Sequence, residues 1–197
     1  EFYWGYPGYG ESGRASYTNE TRYKIELDGK THSLYINNEL KASNLGSSTE
    51  FSNPTNTTFG LFAANDLGNF PIGALIKLYS AEIDGHKFIP VKRITDNSIG
   101  MYDTVSNKFF ANIGTGEFIA GDSIPKYIPD YKEIPNPDSH HLPREYTELT
   151  YIESSGSQYI DTGLKGKYGY TFEAKFSSTS TASWQTIIGV DGANRYL

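Results

Sequence analysis

The chain has no cysteine. That removes disulfides, thiolate catalysis and Cys-based zinc sites together. It leaves the compartment open, because 197 residues can bury a core without covalent staples. Apolar runs are short as well: none approaches the roughly 18 residues a membrane-spanning helix needs, so no membrane insertion is expected. Clustered Lys and Arg are missing, and the net charge of −6 with a pI near 5.2 argues against a nucleic-acid or anionic-membrane partner. Methionine occurs once, and helical periodicity is nearly absent. The chain opens on Glu1 with neither an initiator Met nor a signal-like segment, as expected of a fragment or processed product.

What is present is aromatic and glycine-rich. Sixteen Tyr, 11 Phe and 20 Gly form the profile of many short strands joined by tight turns. Apolar residues at 37% and charged residues at 20% make the chain globular rather than disordered. Tyr23, Ile25 and Leu27 alternate with Arg22, Lys24 and Glu26. Asp28-Gly29-Lys30 then predicts a hairpin into Ser33–Ile36. Phe59–Ala63 reads as a buried strand. Residues 72–83 read as a long strand with Leu75, Lys77, Tyr79 and Ala81 on one face and Ala74, Ile76, Leu78 and Ser80 on the other, apolar on both sides. His86–Val91 is a strand, and Ile99–Val105 and Phe109–Ile113 form a hairpin. Gly114-Thr115-Gly116 turns the chain again before Glu117–Ala120.

Composition shifts at Gly121. Pro125, Pro129, Pro135, Pro137 and Pro143 crowd one segment, and proline at this density keeps a chain extended and out of central strands. The organisation predicted is a first part, 1–121, a Pro-rich linker or strap, 122–141, and a second part, 142–197. Strands are expected to resume at 150–153, 158–161, 170–176 and 184–190.

Two stretches carry a resemblance. Leu142 to Gly163, centred on Leu149-Thr150-Tyr151-Ile152-Glu153-Ser154-Ser155-Gly156-Ser157-Gln158-Tyr159-Ile160-Asp161-Thr162-Gly163, is similar to the opening of a lectin-like sandwich family of the concanavalin A-like, LamG-like type, found in bacterial surface, phage and prophage proteins. Lys77–Ile83, Phe88–Val91, Gly100–Asp103 and Phe109–Gly116 resemble the same family's closing half. The resemblance implies an all-β, two-sheet antiparallel jelly-roll sandwich with its halves in reversed order. Joining Leu197 to Glu1 makes one continuous apolar-aromatic strand, so the chain begins and ends in mid-strand. A circular permutant and a window cut from a tandem or repeat array both explain this. The mid-strand ends favour the array, because an engineered cut normally falls at an exposed loop tip.

Several residue groups bear on chemistry. Glu82-Ile83-Asp84 matches the start of an endoglucanase signature on this fold, but His86 stands where a second glutamate is required, and Asp84-Gly85 reads as a turn. His32, His86, His140 and His141 form no chelating pattern. No nucleophile elbow or dinucleotide fingerprint is present, so no enzyme activity and no cofactor are expected. Calcium is the one candidate metal, through an oxygen-rich loop of Asn65, Asp66 and Asn69 and a second of Asp191 and Asn194. The aromatic run Phe2-Tyr3-Trp4-Gly5-Tyr6-Pro7-Gly8-Tyr9-Gly10 has the composition of a binding loop. A sugar would stack on Trp4 or Tyr6, with Tyr3 and Tyr9 nearby and Arg14, Asp191 and Asn194 on its hydroxyls. Packing of Phe2 and Trp4 into the core is the competing use of the same residues. The expectation is a non-catalytic, extracellular, bacterial-surface or virion module that binds glycan and mediates adhesion. The alternative is a structural block of a fibre, array or phage appendage that contacts neighbouring copies of itself.

Overall fold

The computed structural model describes residues 2–5, 11–15, 18–28, 33–43, 58–66, 73–124, 142–166, 170–181 and 185–191. Among them every regular element is a strand: β1 (Phe2–Gly5), β2 (Glu11–Ala15), β3 (Tyr23–Asp28), β4 (Ser33–Ile36), β5 (Glu39–Ala42), β6 (Thr58–Leu61), β7 (Ala64–Asp66), β8 (Ile76–Ile83), β9 (His86–Arg93), β10 (Ile99–Asp103), β11 (Lys108–Ala111), β12 (Ile119–Ala120), β13 (Tyr146–Glu148), β14 (Ile152–Glu153), β15 (Ile160–Lys165), β16 (Thr171–Ser178) and β17 (Ile188–Asp191). The large sheet runs β11-β10-β9-β8-β16-β3-β4-β5, with β12, β13 and β14 attached beside β8 and β9; a smaller sheet runs β15-β6-β17-β7, and β1 pairs with β2 separately. All pairs are antiparallel except β17 with β7, which is parallel, so the wholly antiparallel sandwich expected from the sequence is mixed at that edge.

Local chemistry accounts for the turns. Asn37 and Asn38, at φ 52° and 66°, join β4 to β5, and Asp84 and Gly85, at φ 53° and 84°, join β8 to β9. Two consecutive positive φ values make the primed two-residue turn whose twist matches the flanking strands, and Asn, Asp and Gly tolerate it best. Asp84 therefore belongs to a turn rather than to a strand face shared with Glu82. The hairpin predicted around Asp28 is present, with Asp28 opposite Ser33 and Leu27 opposite Leu34.

β8 departs from the sequence reading. Its buried positions are Ile76, Leu78, Ala81 and Ile83. The alternation slips by one residue because β16 pairs Phe176 with Leu78 but Lys175 with Ser80, leaving Tyr79 as the extra residue of a bulge. A single buried face with a bulge in it reads, without the bulge, as apolar on both faces. The register of the strand decides the difference.

The inner faces of the two sheets share one core. Leu27, Leu34, Ile76, Leu78, Ile83, Phe88, Met101, Phe172 and Phe176 of the large sheet meet Phe59, Leu61, Ile160 and Ile188 of the small one. Burying each such side chain is worth about 1.5–3 kcal/mol, so this face dominates the stability of the fold. Phe59 stacks on Tyr170 at 4.9 Å between centroids, and Phe62 on Phe118 at 4.8 Å. Phe62 itself stands at φ 68°, a conformation that disfavours a bulky side chain by about 1–2 kcal/mol. Full burial holds it there, together with its N–H donating to the Ile187 carbonyl at 2.8 Å and its carbonyl accepting from the Ala74 N–H at 2.8 Å.

A second, smaller apolar cluster lies apart from this core. Ile89, Val91 and Tyr102 are covered by Phe109, Leu142 and Tyr146. The chain leaving the Pro-rich segment thus lies over β9 and β10 before entering β13. There β8 and β9 part: Ala81 to Ile83 pair with His86 to Phe88, while beyond them β14 takes Lys77 and Leu78, and β13 takes Val91 to Arg93. The Leu149 N–H donates to the Pro90 carbonyl at 2.9 Å in the fork.

The two stretches that carried the resemblance meet in space. Asn112 Oδ1 accepts from the Tyr159 N–H at 3.0 Å, the Ile113 N–H donates to the Tyr159 carbonyl at 2.9 Å, and the Thr115 N–H to the Ser157 carbonyl at 3.1 Å. These bonds link the β11 edge of the large sheet to the β15 edge of the small one. Gly114–Gly116 turns the chain without making a hairpin, because β12 pairs with β14 rather than returning along β11.

Candidate binding surface

Away from the main core, the large sheet presents rows of side chains fixed by register. Ile119, Glu153, Lys77 and Ser177 are successive cross-strand partners on β12, β14, β8 and β16. Ile152 stands opposite Leu78, which brings Tyr151 beside Tyr79, and their rings meet edge-to-face at 5.8 Å. The Tyr79 hydroxyl lies 3.2 Å from Ser177 Oγ, and both rings are half-buried. The bulge places Tyr79 and Ser80 consecutively outside the core, which is the re-aiming of a side chain that bulges commonly perform.

Cations flank the pair. The Arg22 guanidinium lies 3.7 Å above the Tyr79 ring centroid and the Lys77 ammonium 5.4 Å from that of Tyr151. Lys77 also bonds Glu20 at 2.7 Å, and that hydrogen bond, opposed by partial desolvation, raises its pKa above the ordinary lysine value. The chemistry available is the Tyr151 ring with the Lys77 amine beside it, next to a Tyr79 ring that the Arg22 guanidinium covers. Beyond this group the same side of the sheet is charged and self-paired, with Lys24 bonded to Glu26 at 3.1 Å and to Glu173 at 2.9 Å.

A second aromatic group is closed. Tyr146 packs on Tyr102 at 4.9 Å and on Phe109 at 5.5 Å, and the Arg93 guanidinium stacks on Phe109 at 4.7 Å. Asp96 fills the Arg93 fork through contacts of 3.0 and 2.6 Å, which hold the Asp96 carboxyl well below its usual range. The Tyr102 phenol is pushed up by desolvation, with Tyr146 adding to the effect.

The sequence-derived candidates fall elsewhere. Tyr3 stands opposite Arg14 in the β1–β2 hairpin and Trp4 opposite Gly13, so the structure brings Tyr3 and Arg14 together in register. Tyr6, Tyr9, Asn69 and Asn194 lie outside the described residues, as do Trp184, His32, His140, His141 and the Leu197/Glu1 junction. Asn65 and Asp66 are in β7 and Asp191 is in β17, strands rather than the two separate loops expected. They are parallel neighbours, with Asp66 opposite Asp191 and Asn65 opposite Val190, a closeness that residues so far apart in sequence did not reveal. Among the described residues no group of three or more His, Asp or Glu is placed to hold a metal.

His86 turns out to be tied to Asp103, its Nδ1 lying 2.7 Å from Oδ2. The buried Asp103 carboxylate also accepts from Ser106 Oγ at 2.5 Å and from the Val105 N–H at 2.9 Å. Ser106 bonds the carboxylate, not the imidazole, so the three form a brace across the two hairpin tips and not a nucleophile-base relay. Arg22, Lys77, Tyr79 and Tyr151 are the residues that sequence reasoning passed over. Lys77-x-Tyr79 and Tyr151-x-Glu153, aromatic and charge alternating on two strands, are the only signal for them.

Fold and surface together define a β-sandwich-like all-β protein with an aromatic, cation-rimmed patch on its large sheet. No family model matches the chain, and neither a curated protein nor a solved structure matches it.

Proposed function

We propose that this chain is a non-catalytic, lectin-like module that binds glycan, with adhesion at a bacterial surface or virion as its use. The side-by-side Tyr79 and Tyr151 rings, with Arg22 over Tyr79, Lys77 near Tyr151 and the Tyr79 hydroxyl held against buried Ser177, carry the reading. Sugar rings offer apolar C–H faces to aromatic rings and hydroxyls to the polar groups around them, and fixed tyrosines give this contact area at low entropic cost. The β1–β2 hairpin, where Tyr3 stands opposite Arg14 and Trp4 opposite Gly13, is a second candidate contact in the same proposal. The non-catalytic part rests on Asp84, whose carboxylate accepts from the Thr171 N–H at 3.2 Å and whose backbone makes a turn, so the Glu82/Asp84 pair lacks the geometry of an acid/base couple.

The family proposed is the concanavalin A-like jelly roll with its halves permuted. Its support is the interleaving of the two parts: β16, from 142–197, lies between β8 and β3, and β15 and β17 flank β6. Strands of the two parts that alternate within each sheet favour the permutant over a window of an array. A glycan array is the test. Tyr79→Ala and Tyr151→Ala are expected to lose retention while melting close to the parent chain. Retention unchanged in both, and lost instead in Trp4→Ala or Tyr6→Ala, would move the site to the hairpin. Retention on no glycan by the folded parent would end the reading.

A further inference from the structure

We infer that the glycan taken by the Tyr79–Tyr151 surface is acidic, and that Arg22 reads a carboxylate on its sugar ring. The inference rests on the glycan-binding reading above and sharpens it to a ligand class.

Among the described residues the same device occurs twice, an arginine guanidinium placed over an aromatic ring outside the core. In one copy Arg93 lies 4.7 Å above Phe109, and Asp96 takes the Nε/Nη2 edge of its guanidinium at 3.0 and 2.6 Å. In the other, Arg22 lies closer to its ring, at 3.7 Å from Tyr79, and has no carboxylate partner among the described residues. Glu20, two residues before Arg22 in the chain, bonds Lys77 instead at 2.7 Å.

Stacking fixes the plane of a guanidinium and leaves its in-plane N–H donors directed outward, and this rigid fork matches a planar carboxylate bidentately. Arg93 with Asp96 shows that pairing completed inside the molecule. Arg22 presents the same half of it to solvent, beside a second tyrosine on which a sugar ring can stack. Local positive charge also matters for a chain of net charge −6, which otherwise repels an acidic ligand. Tyr79 is held by its hydroxyl contact with Ser177 at 3.2 Å, so the fork is presented in one orientation. A Cβ at Gly121 would come within 2.8 Å of the Tyr151 ring, so glycine is what lets that ring lie flat against the strand end.

The experiment is calorimetric titration of the whole chain with three matched trisaccharides, one ending in glucuronate, one in glucose and one in a sulfated glucose. The glucuronate form is expected to bind about tenfold more tightly than the glucose form, the scale of one charge-assisted hydrogen-bonded contact, and to weaken as salt is raised. Arg22→Lys keeps the charge and loses the planar fork, so it is expected to bind the glucuronate and glucose forms alike. Arg93→Lys, whose parent arginine is already paired, leaves the preference intact. Tyr151→Ala lowers binding of all three. Equal affinity of the parent chain for the glucuronate and glucose forms, or a preference surviving in Arg22→Lys, overturns the acidic assignment while the glycan reading stands. A sulfated form held as tightly as the glucuronate form overturns the carboxylate specificity. No binding of any of the three by a chain with an unchanged melting temperature counts against the glycan reading itself.

Discussion

Glycines separate two kinds of constraint at the scale of single residues. Gly85 stands at φ 84° with nothing within 4 Å of a would-be Cβ, so its requirement is conformational. Gly85→Ala is expected to cost about 1–2 kcal/mol in urea denaturation, the left-handed penalty of an ordinary residue. Gly114 has an ordinary φ, but a Cβ there would overlap the Ser157 carbonyl oxygen and press on the Tyr159 ring. Gly114→Ala is expected to cost about 1–3 kcal/mol, the range of overpacking, because backbone and not a movable side-chain tip must give way. Asp103 is constrained electrostatically. Burial alone would raise its pKa, but hydrogen bonds from Ser106, His86 and the Val105 N–H outweigh burial, and the net effect is a pKa below the ordinary value of 3.8. A depressed carboxyl contributes stability that is present above the unfolded pKa and lost as pH falls through the folded one. Acid unfolding followed from pH about 5 downward should therefore show a limb that Asp103→Asn, which cannot titrate, flattens.

Elements show where alternation holds and where it slips. β3 keeps a strict period of two, with Tyr23, Ile25 and Leu27 toward the core, and was legible residue by residue. β8 was legible as a strand but not in its facing, since one extra residue at Tyr79 exchanges the two sides beyond it. The β10–β11 hairpin was predicted, whereas the pairing of β10 with β9 and the cover over both were not. Tyr146, just after the segment 122–141 that reads as a linker or strap, closes the outer cluster. Tyr146→Ala should strip the cover from Tyr102 and Phe109 and cost roughly 2 kcal/mol, the low end for a large aromatic because Tyr146 is only half-buried. Hydrogen exchange should show the β13 amides losing protection before those of β16, which lies between two long neighbours.

The whole molecule is built from two sequence parts that share each sheet. β16 sits between β8 and β3, and β6 between β15 and β17. Neither part buries its apolar faces alone, because the inner residues of β8 face Phe172 and Phe176 of the other part through one common core. A protease site introduced within 126–140 and cleaved is expected to leave a complex that migrates as one species and melts in one transition. The two parts expressed separately should show no cooperative melting. Separation of the cleaved parts on size exclusion would mean that each holds a core of its own.

Strand content, most turn positions and the exclusion of cysteine chemistry follow from the sequence, because they depend on residue type and near-neighbour period. The hairpins at Asp28 and at Asp84-Gly85 were readable for that reason. The tertiary structure alone decided the long-range pairings. It set Tyr79 against Tyr151, Asp66 against Asp191 and His86 against Asp103, and it paired β12 with β14 instead of β11. Such pairings depend on register across strands distant in the chain, which a period of two leaves undetermined to within one residue, and one residue is enough to exchange the core for the binding surface.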